Sequence, residues 1–435
     1  MNSAMRNAAS GEHWLDRIGI PKHLAFGFLG LLLFMIGDGV EAGYLTPFIT
    51  SMHLPLSSAA LMFTMYGVTV CISSWLSGAL SDIFGPKRVM WVGLAIWAFF
   101  EVIFLVFGAA KGNYEVMLIA YTLRGFGYPL FAFGFLVWIA AATPSSRLGS
   151  AVGWFWFAFA GGLPTLGSLF ASITIPLIGQ MATFWCSLGL VVTGGLITLI
   201  GTRDHRGLQR AEGASENPLK VAFGSISIMW QEPRVAMGGI VRMINTSSEY
   251  AFLVIMPGFF TQVIGFSLTE WLQLLSVMFI SNTVCSLLAG IGADRYGYRR
   301  VIGFLGGIGS AISVPLFFYM PQFFKDNFAV AAVFGIFYGL TLGSFTPMSA
   351  LMPLLTPRRK AAALSILGLG AGASTWFGPG IVSIFEGSVG IKGVIWIFSG
   401  LYVVSAILTR FLVMAPESER KAAEAKSQSG AVLAH

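Results

Sequence analysis

Gly78-Ala-Leu-Ser-Asp-Ile-Phe-Gly-Pro-Lys-Arg88 returns further along the chain as Gly290-Ile-Gly-Ala-Asp-Arg-Tyr-Gly-Tyr-Arg-Arg300. Gly, Asp, Gly and Arg recur in register, at Gly78/Gly290, Asp82/Asp294, Gly85/Gly297 and Arg88/Arg300, each pair 212 residues apart. Each copy closes one long apolar run and opens the next, so each reads as a tight basic turn between two membrane spans. The interval is about half of the 435 residues. Two copies at that distance imply a duplicated membrane bundle, the construction of many secondary transporters.

Composition agrees. With 56% apolar residues, 10% charged residues and a mean hydropathy of +0.78, the chain is not a soluble globular domain. Its apolar residues come in runs of about 20 or more, long enough to cross a hydrocarbon layer roughly 30 Å thick as helices. Twelve such runs lie near 24–49, 57–80, 89–110, 115–142, 149–172, 181–200, 235–262, 268–292, 301–320, 328–354, 361–385 and 392–414, numbered below as spans 1 to 12. No ten-residue alternation of the outer-membrane barrel kind appears. Span 1 carries Asp38 and Glu41 in its second half and no small-x-small site follows it, so it does not read as a cleavable signal. Cys71, Cys186 and Cys285 all fall inside spans, too scattered for a disulfide framework or a metal site.

The formal charge of +7 is a matter of orientation, not of nucleic acid. Of 26 Lys and Arg, only Lys111, Lys325 and Lys392 sit in the loops of one side, and Arg124 and Arg242 lie within spans. The rest fall in the tails, in the opposite loops or at the span ends facing them. The positive-inside rule then places both termini and the basic loops in the cytoplasm of an inner-membrane, multi-pass protein. The longest hydrophilic stretch, 201–233, divides six spans from six and includes an amphipathic piece around Leu219–Trp230. The boundaries that follow are a tail at 1–22, bundles at 23–200 and 234–414, a central loop at 201–233, and a disordered tail at 415–435.

The halves match elsewhere too. Met35-Ile36 and Glu41 of span 1 correspond to Met243-Ile244 and Glu249 of span 7. Thr143-Pro144 at the end of span 4 recurs as Thr356-Pro357 at the end of span 10, followed by basic residues at Arg147 and at Arg358-Arg359-Lys360.

The repeated turn resembles the loop signature of the major facilitator superfamily, and the resemblance extends over almost the whole chain. It implies an all-α membrane protein of twelve transmembrane helices in two pseudo-symmetric six-helix bundles, working as a monomer on a small-molecule substrate. In that fold Asp82 and Asp294 would each meet the N-terminal end of a helix of the other half (spans 11 and 5), where the helix dipole is positive. Arg88 and Arg300 would be further ionic partners. Asp82, Arg88, Asp294 and Arg300 are therefore expected gating residues; well-capped turns with no gating role are the alternative.

Ionisable groups inside a bilayer cost several kcal/mol unless paired or wet, so each is a functional candidate. There are six: Asp38 and Glu41, read as sharing a helical face of span 1; Glu101 in span 3; Arg124 in span 4; Arg242 and Glu249 in span 7. An acid on span 1 opposite an arginine on span 4 is the pairing of proton-coupled sugar porters of the superfamily, and Arg124-Gly-Phe-Gly127 resembles the span-4 arginine motif of its proton-driven members. A carboxylate held by a guanidinium stays charged; parted from it in a dry site, it binds a proton. Asp38, Glu41 and Arg124 are the expected proton-coupling set, with a static bridge as the alternative. Glu101 reads as weaker, because span 3 is mostly peripheral in this fold and a neutral, lipid-shielded carboxyl serves equally well.

Glu249, with Asn245 one turn before it, suits recognition of hydroxyl groups. Arg242 lies nearer the span end and could snorkel. Tyr128, Tyr250, Asn282, Tyr338 and Trp376 complete the expected substrate-binding set with Arg242, Asn245 and Glu249. Tyr44, Trp154 and Phe157 are further candidates. No enzyme constellation is present: no H-E-x-x-H, no G-x-x-x-x-G-K-[ST], and all five histidines lie in tails, in loops or at a span edge. No cofactor or metal is expected.

Gly19-Ile-Pro-Lys22 and Phe34-Met-Ile-Gly-Asp-Gly-Val-Glu41 resemble the polyol permease family, whose members carry ribitol and D-arabinitol. That implies uptake of a neutral polyol together with protons. The same family includes carriers of 2-oxoglutarate. Charge favours the polyol: four acids against two arginines within the spans repel a dianion. A proton-driven drug exporter is the remaining alternative, with Gly161-Gly-Leu-Pro164 loosely similar to the antiporter motif of span 5.

Overall fold

A computed structural model describes residues 15, 20–143, 148–202, 204–209, 226–325, 327–356 and 359–414. Most of the expected N-terminal tail, the C-terminal tail, most of the central loop with the start of its amphipathic piece, and Pro144, Arg147, Pro357 and Arg358 lie outside the described residues. So does the side chain of Asp294. Among the described residues every regular element is a helix.

Among the described residues nine helices are long and apolar enough to cross a membrane, and two of them cover two spans each. Ser150–Gly201 runs 52 residues and Ala362–Arg410 runs 49. At about 1.5 Å per residue either would be more than twice the thickness of a bilayer core. Each is interrupted by one glycine with non-helical torsions, Gly179 (φ 81°) and Gly390 (φ 67°). Positive φ is accessible to glycine without steric cost, so these residues let span 5 turn into span 6 and span 11 into span 12. Pro233–Gly258, span 7, completes the twelve and carries Arg234, Arg242 and Glu249. The protein is thus a multi-pass, twelve-helix membrane protein of the architecture that the loop repeat implied.

The duplication is reproduced in backbone detail. Gly85 and Gly297 adopt nearly one conformation, φ 84° with ψ 134° and φ 94° with ψ 133°. Around them the hydrogen bonds correspond one to one. Gly85 N–H donates to Ser81 O and Gly297 N–H to Ala293 O, both at 2.9 Å, and Arg88 and Arg300 N–H close back on the two glycine carbonyls at 3.2 and 3.1 Å. Spans 4 and 10 start alike as well. Asn113 and Asn327 are N-caps, each accepting at 3.2 Å from the amide three residues on, Val116 and Val330.

The described chain forms two compact units, Met1–Gly43 with Leu76–Pro218, and Tyr44–Trp75 with Leu219–His435. In the first, span 1 lies against span 6 so closely that a Cβ at Gly30 would come within 2.4 Å of Gly194 O, and one at Gly194 within 2.5 Å of Gly30 O. Small residues allow this approach, which in lipid replaces the hydrophobic drive for helix association. In the second, span 7 packs on span 11, and Thr375 Oγ1 of span 11 donates to Gly67 O of span 2 at 2.9 Å.

Candidate functional site

Unit 1 holds a buried ion cluster. Arg124 Nη1 donates to Glu41 Oε1 and to Glu101 Oε2, and none of the three side chains is more than 1% exposed. The guanidinium lies over two aromatic faces, with Cζ 4.3 Å from the Tyr121 ring centroid and 4.8 Å from that of Trp97. Trp97 serves a second time: its Nε1–H donates to Asp38 Oδ1 at 2.6 Å. The remaining oxygens, Glu41 Oε2 and Glu101 Oε1, are buried with no hydrogen-bond partner among the described residues.

Helix interruptions create this geometry. Span 1 is not one helix: Ala25–Gly39 ends, residues 40–44 form turns, and Leu45–Ser51 resumes. Asp38 therefore sits in the last turn of a helix and Glu41 beyond its end, so the shared helical face read from sequence does not exist. The two acids have different partners. Arg124 is likewise the final residue of Tyr114–Arg124, before a break at Gly125-Phe126 and a restart at Gly127. Backbone interrupted at mid-span, next to charge, is how transporters build polar sites inside membranes.

Glu101 also needs correcting. It is neither peripheral nor lipid-shielded but an equal partner of Glu41 on the guanidinium. Its spacing held a signal, since Trp97 and Glu101 stand one helical turn apart and therefore share a face.

Unit 2 contains a hydroxyl network. Ser248 Oγ lies 2.5 Å from Tyr338 Oη and 2.6 Å from Tyr402 Oη, and Tyr402 Oη donates to the main-chain carbonyl of Asn245 at 2.6 Å. Asn245 Nδ2 donates to Leu342 O at 3.3 Å, while its Oδ1 accepts from Arg242 Nη1. Glu249 is partly buried. Tyr402 and Ser248 escaped the sequence reading, because which hydroxyls of different spans meet is settled by packing.

The other expected residues are more dispersed. Tyr128 is buried, its ring centroid 6.2 Å from that of Phe159. Tyr250 and Asn282 are partly buried, Asn282 Oδ1 accepting from Ser286 Oγ at 3.4 Å. Trp376 is 36% exposed. Tyr338 is fully buried, so in this structure its hydroxyl is part of the network rather than a free contact. Asp82, Arg88 and Arg300 are exposed. Among the described residues no group of three His, Cys, Asp or Glu side chains could hold a metal ion.

Comparison with known proteins agrees with this architecture. The family model described as Major Facilitator Superfamily matches residues 27–241 and 238–435. The chain is 39% identical over 405 residues to "Alpha-ketoglutarate permease" of Bacillus subtilis (strain 168), covering 93% of this chain and 92% of that one. It is 35% identical over 421 residues to "D-arabinitol transporter" of Klebsiella pneumoniae, covering 96% and 98%. "Ribitol transporter" of the same organism is 35% identical over 391 residues, covering 90% and 92%. Among solved structures, the nucleoside transporter NupG is similar with a TM-score of 0.69 at 16% identity, over 90% of this chain and 99% of that one.

Proposed function

The chain belongs to the major facilitator superfamily and is a membrane transporter, and on that premise we propose that it takes up a small neutral polyol, of the ribitol or arabinitol kind, together with protons. One observation carries the coupling: a single buried guanidinium serves two carboxylates. With both ionised, a dry site holds more negative than positive charge, and Asp38 adds to it. A proton on Glu41 or Glu101 relieves that excess while the other carboxylate keeps the arginine paired. The cluster can thus be loaded and unloaded without leaving Arg124 unpaired. The breaks at residues 40–44 and 125–126 give the partners room to part as the transporter alternates between its two open states.

The polyol reading is supported by charge and by kinship. The mid-span acids Asp38, Glu41, Glu101 and Glu249 outnumber Arg124 and Arg242, a balance that suits a neutral solute. The D-arabinitol and ribitol transporters are relatives over nearly the whole chain. Asn245, Glu249 and Arg242 are the proposed substrate contacts, with Tyr128, Tyr250, Asn282 and Trp376 completing the lining. The signature turns with Asp82, Arg88, Asp294 and Arg300 act as gates at the cytoplasmic face, the protein works as a monomer in the inner membrane, and both termini are cytoplasmic.

A second reading has its own observation. Arg242 bonds an amide oxygen and, among the described residues, no carboxylate, so it could receive the carboxylate of an organic acid, as the relative named alpha-ketoglutarate permease suggests. Binding of ribitol, D-arabinitol and 2-oxoglutarate to the purified transporter, by calorimetry, separates the two. A polyol signal supports the first reading. A signal from 2-oxoglutarate alone overturns it and makes Arg242 the anion partner.

A further inference from the structure

Spans 4 and 10 can be aligned through their caps. Counting from Asn113 and Asn327, Arg124 and Tyr338 each stand eleven residues on, at equivalent places in the two halves. Where unit 1 has a guanidinium bound by carboxylates, unit 2 has a phenol bound by a hydroxyl. The repeat has kept its frame and replaced the ion cluster with an uncharged chain.

Followed through Ser248, that chain runs in one direction. Tyr402 gives its only proton to the Asn245 carbonyl, so towards Ser248 it can only accept. Ser248 therefore donates to Tyr402 and accepts from Tyr338. All three side chains are fully buried, and all three protons are committed. The chain ends on Asn245, which is held at three points: its carbonyl by Tyr402 of span 12, its Nδ2 against Leu342 O of span 10, and its Oδ1 by Arg242. Anything that shifts Asn245 shifts the acceptor that orients the Arg242 guanidinium.

We propose that the Tyr338–Ser248–Tyr402 chain is a positioning device for the substrate site of unit 2, with Tyr402 acting through Asn245 to set where Arg242 stands. Tyr338 and Tyr402 are then positioning residues, not substrate contacts. The proposal rests on the reading of Asn245 and Arg242 as substrate contacts.

Tyr402→Phe tests it, because it removes one oxygen and keeps the ring that packs 6.1 Å from Phe345. In proteoliposome counterflow with labelled ribitol, D-arabinitol and 2-oxoglutarate, the expected result is a rise of about tenfold in KM for whichever probe the wild type carries. Maximal rate and pH profile should be unchanged, since the proton chemistry is placed in unit 1. Ser248→Ala breaks the chain one link earlier, leaves the Tyr402–Asn245 bond, and should raise KM about threefold; it decides the matter if Tyr402→Phe does not fold. A wild-type KM in the folded variant, a fall in rate alone, or a displaced pH profile overturns the proposal. If the wild type carries none of the three probes, the substrate reading fails and hydrogen exchange decides this one. Tyr402→Phe should then speed amide exchange across 243–250 without loosening span 1, and unchanged protection there refutes it.

Discussion

Glu41 and Glu101, from different spans, meet at the same nitrogen, Arg124 Nη1. Two ionised acids on one cation leave an excess of negative charge, and the proposed coupling rests on that excess.

Neutralising either acid should uncouple transport before it abolishes binding. Glu41→Gln and Glu101→Gln keep hydrogen-bonding groups near the guanidinium but lose the titratable proton. Accumulation against a gradient should fall by at least about tenfold in each, with substrate-driven counterflow partly retained. Asp38→Asn, which leaves an acceptor for Trp97 Nε1–H, should have the milder effect. Uptake and counterflow measured in the same liposomes check this ordering.

Removing the cation alone should be costly. Arg124→Ala strands two buried carboxylates, and breaking a buried pair in this way costs roughly 3–5 kcal/mol. Its thermal unfolding in detergent should fall well below that of the wild type. The triple variant Arg124→Met, Glu41→Gln, Glu101→Gln should regain most of that loss while remaining uncoupled. Stability that stays low in the triple variant would mean that shape, not charge, governs the site.

The signature turns should differ in tolerance although their backbones coincide. Alanine at either Gly85 or Gly297 meets an unfavourable positive φ, on the order of 1–3 kcal/mol. At Gly85 the added Cβ would also lie 2.9 Å from Leu208 O, whereas at Gly297 nothing among the described residues stands within 4 Å. Gly85→Ala is therefore expected to be the more destabilising of the two, as thermal unfolding will show.

Much of this was legible in the sequence. The turn repeat gave the duplication because its glycines are required by backbone torsion, and torsional requirements survive in the residue pattern. Glu41 and Arg124 were visible as charges in apolar runs. The unwinding after Gly39 was not read, although Gly37, Gly39 and Gly43 around Asp38 and Glu41 weaken a helix there. Glu101 was misjudged because its partner Arg124 lies on another span, although Trp97 one turn before it marked its face. Tyr402 and Ser248 were missed because which hydroxyls meet across spans is settled by packing rather than by pattern.

The proposed gate is tested at Asp82. Asp82→Asn should slow net uptake several-fold with KM within about twofold of the wild type, because it alters the exchange between states and not the substrate contacts. A raised KM at an unchanged rate would move Asp82 out of the gate.

Proton coupling through the Arg124 cluster is tested most directly by following proton entry and polyol entry together in proteoliposomes with a pH-sensitive dye inside. With an acidic exterior, addition of ribitol or D-arabinitol to the wild type should acidify the lumen in step with uptake, and the double variant Glu41→Gln, Glu101→Gln should give no such acidification. Uptake that neither acidifies the lumen nor responds to the imposed gradient, or acidification that persists in the double variant, would contradict the account.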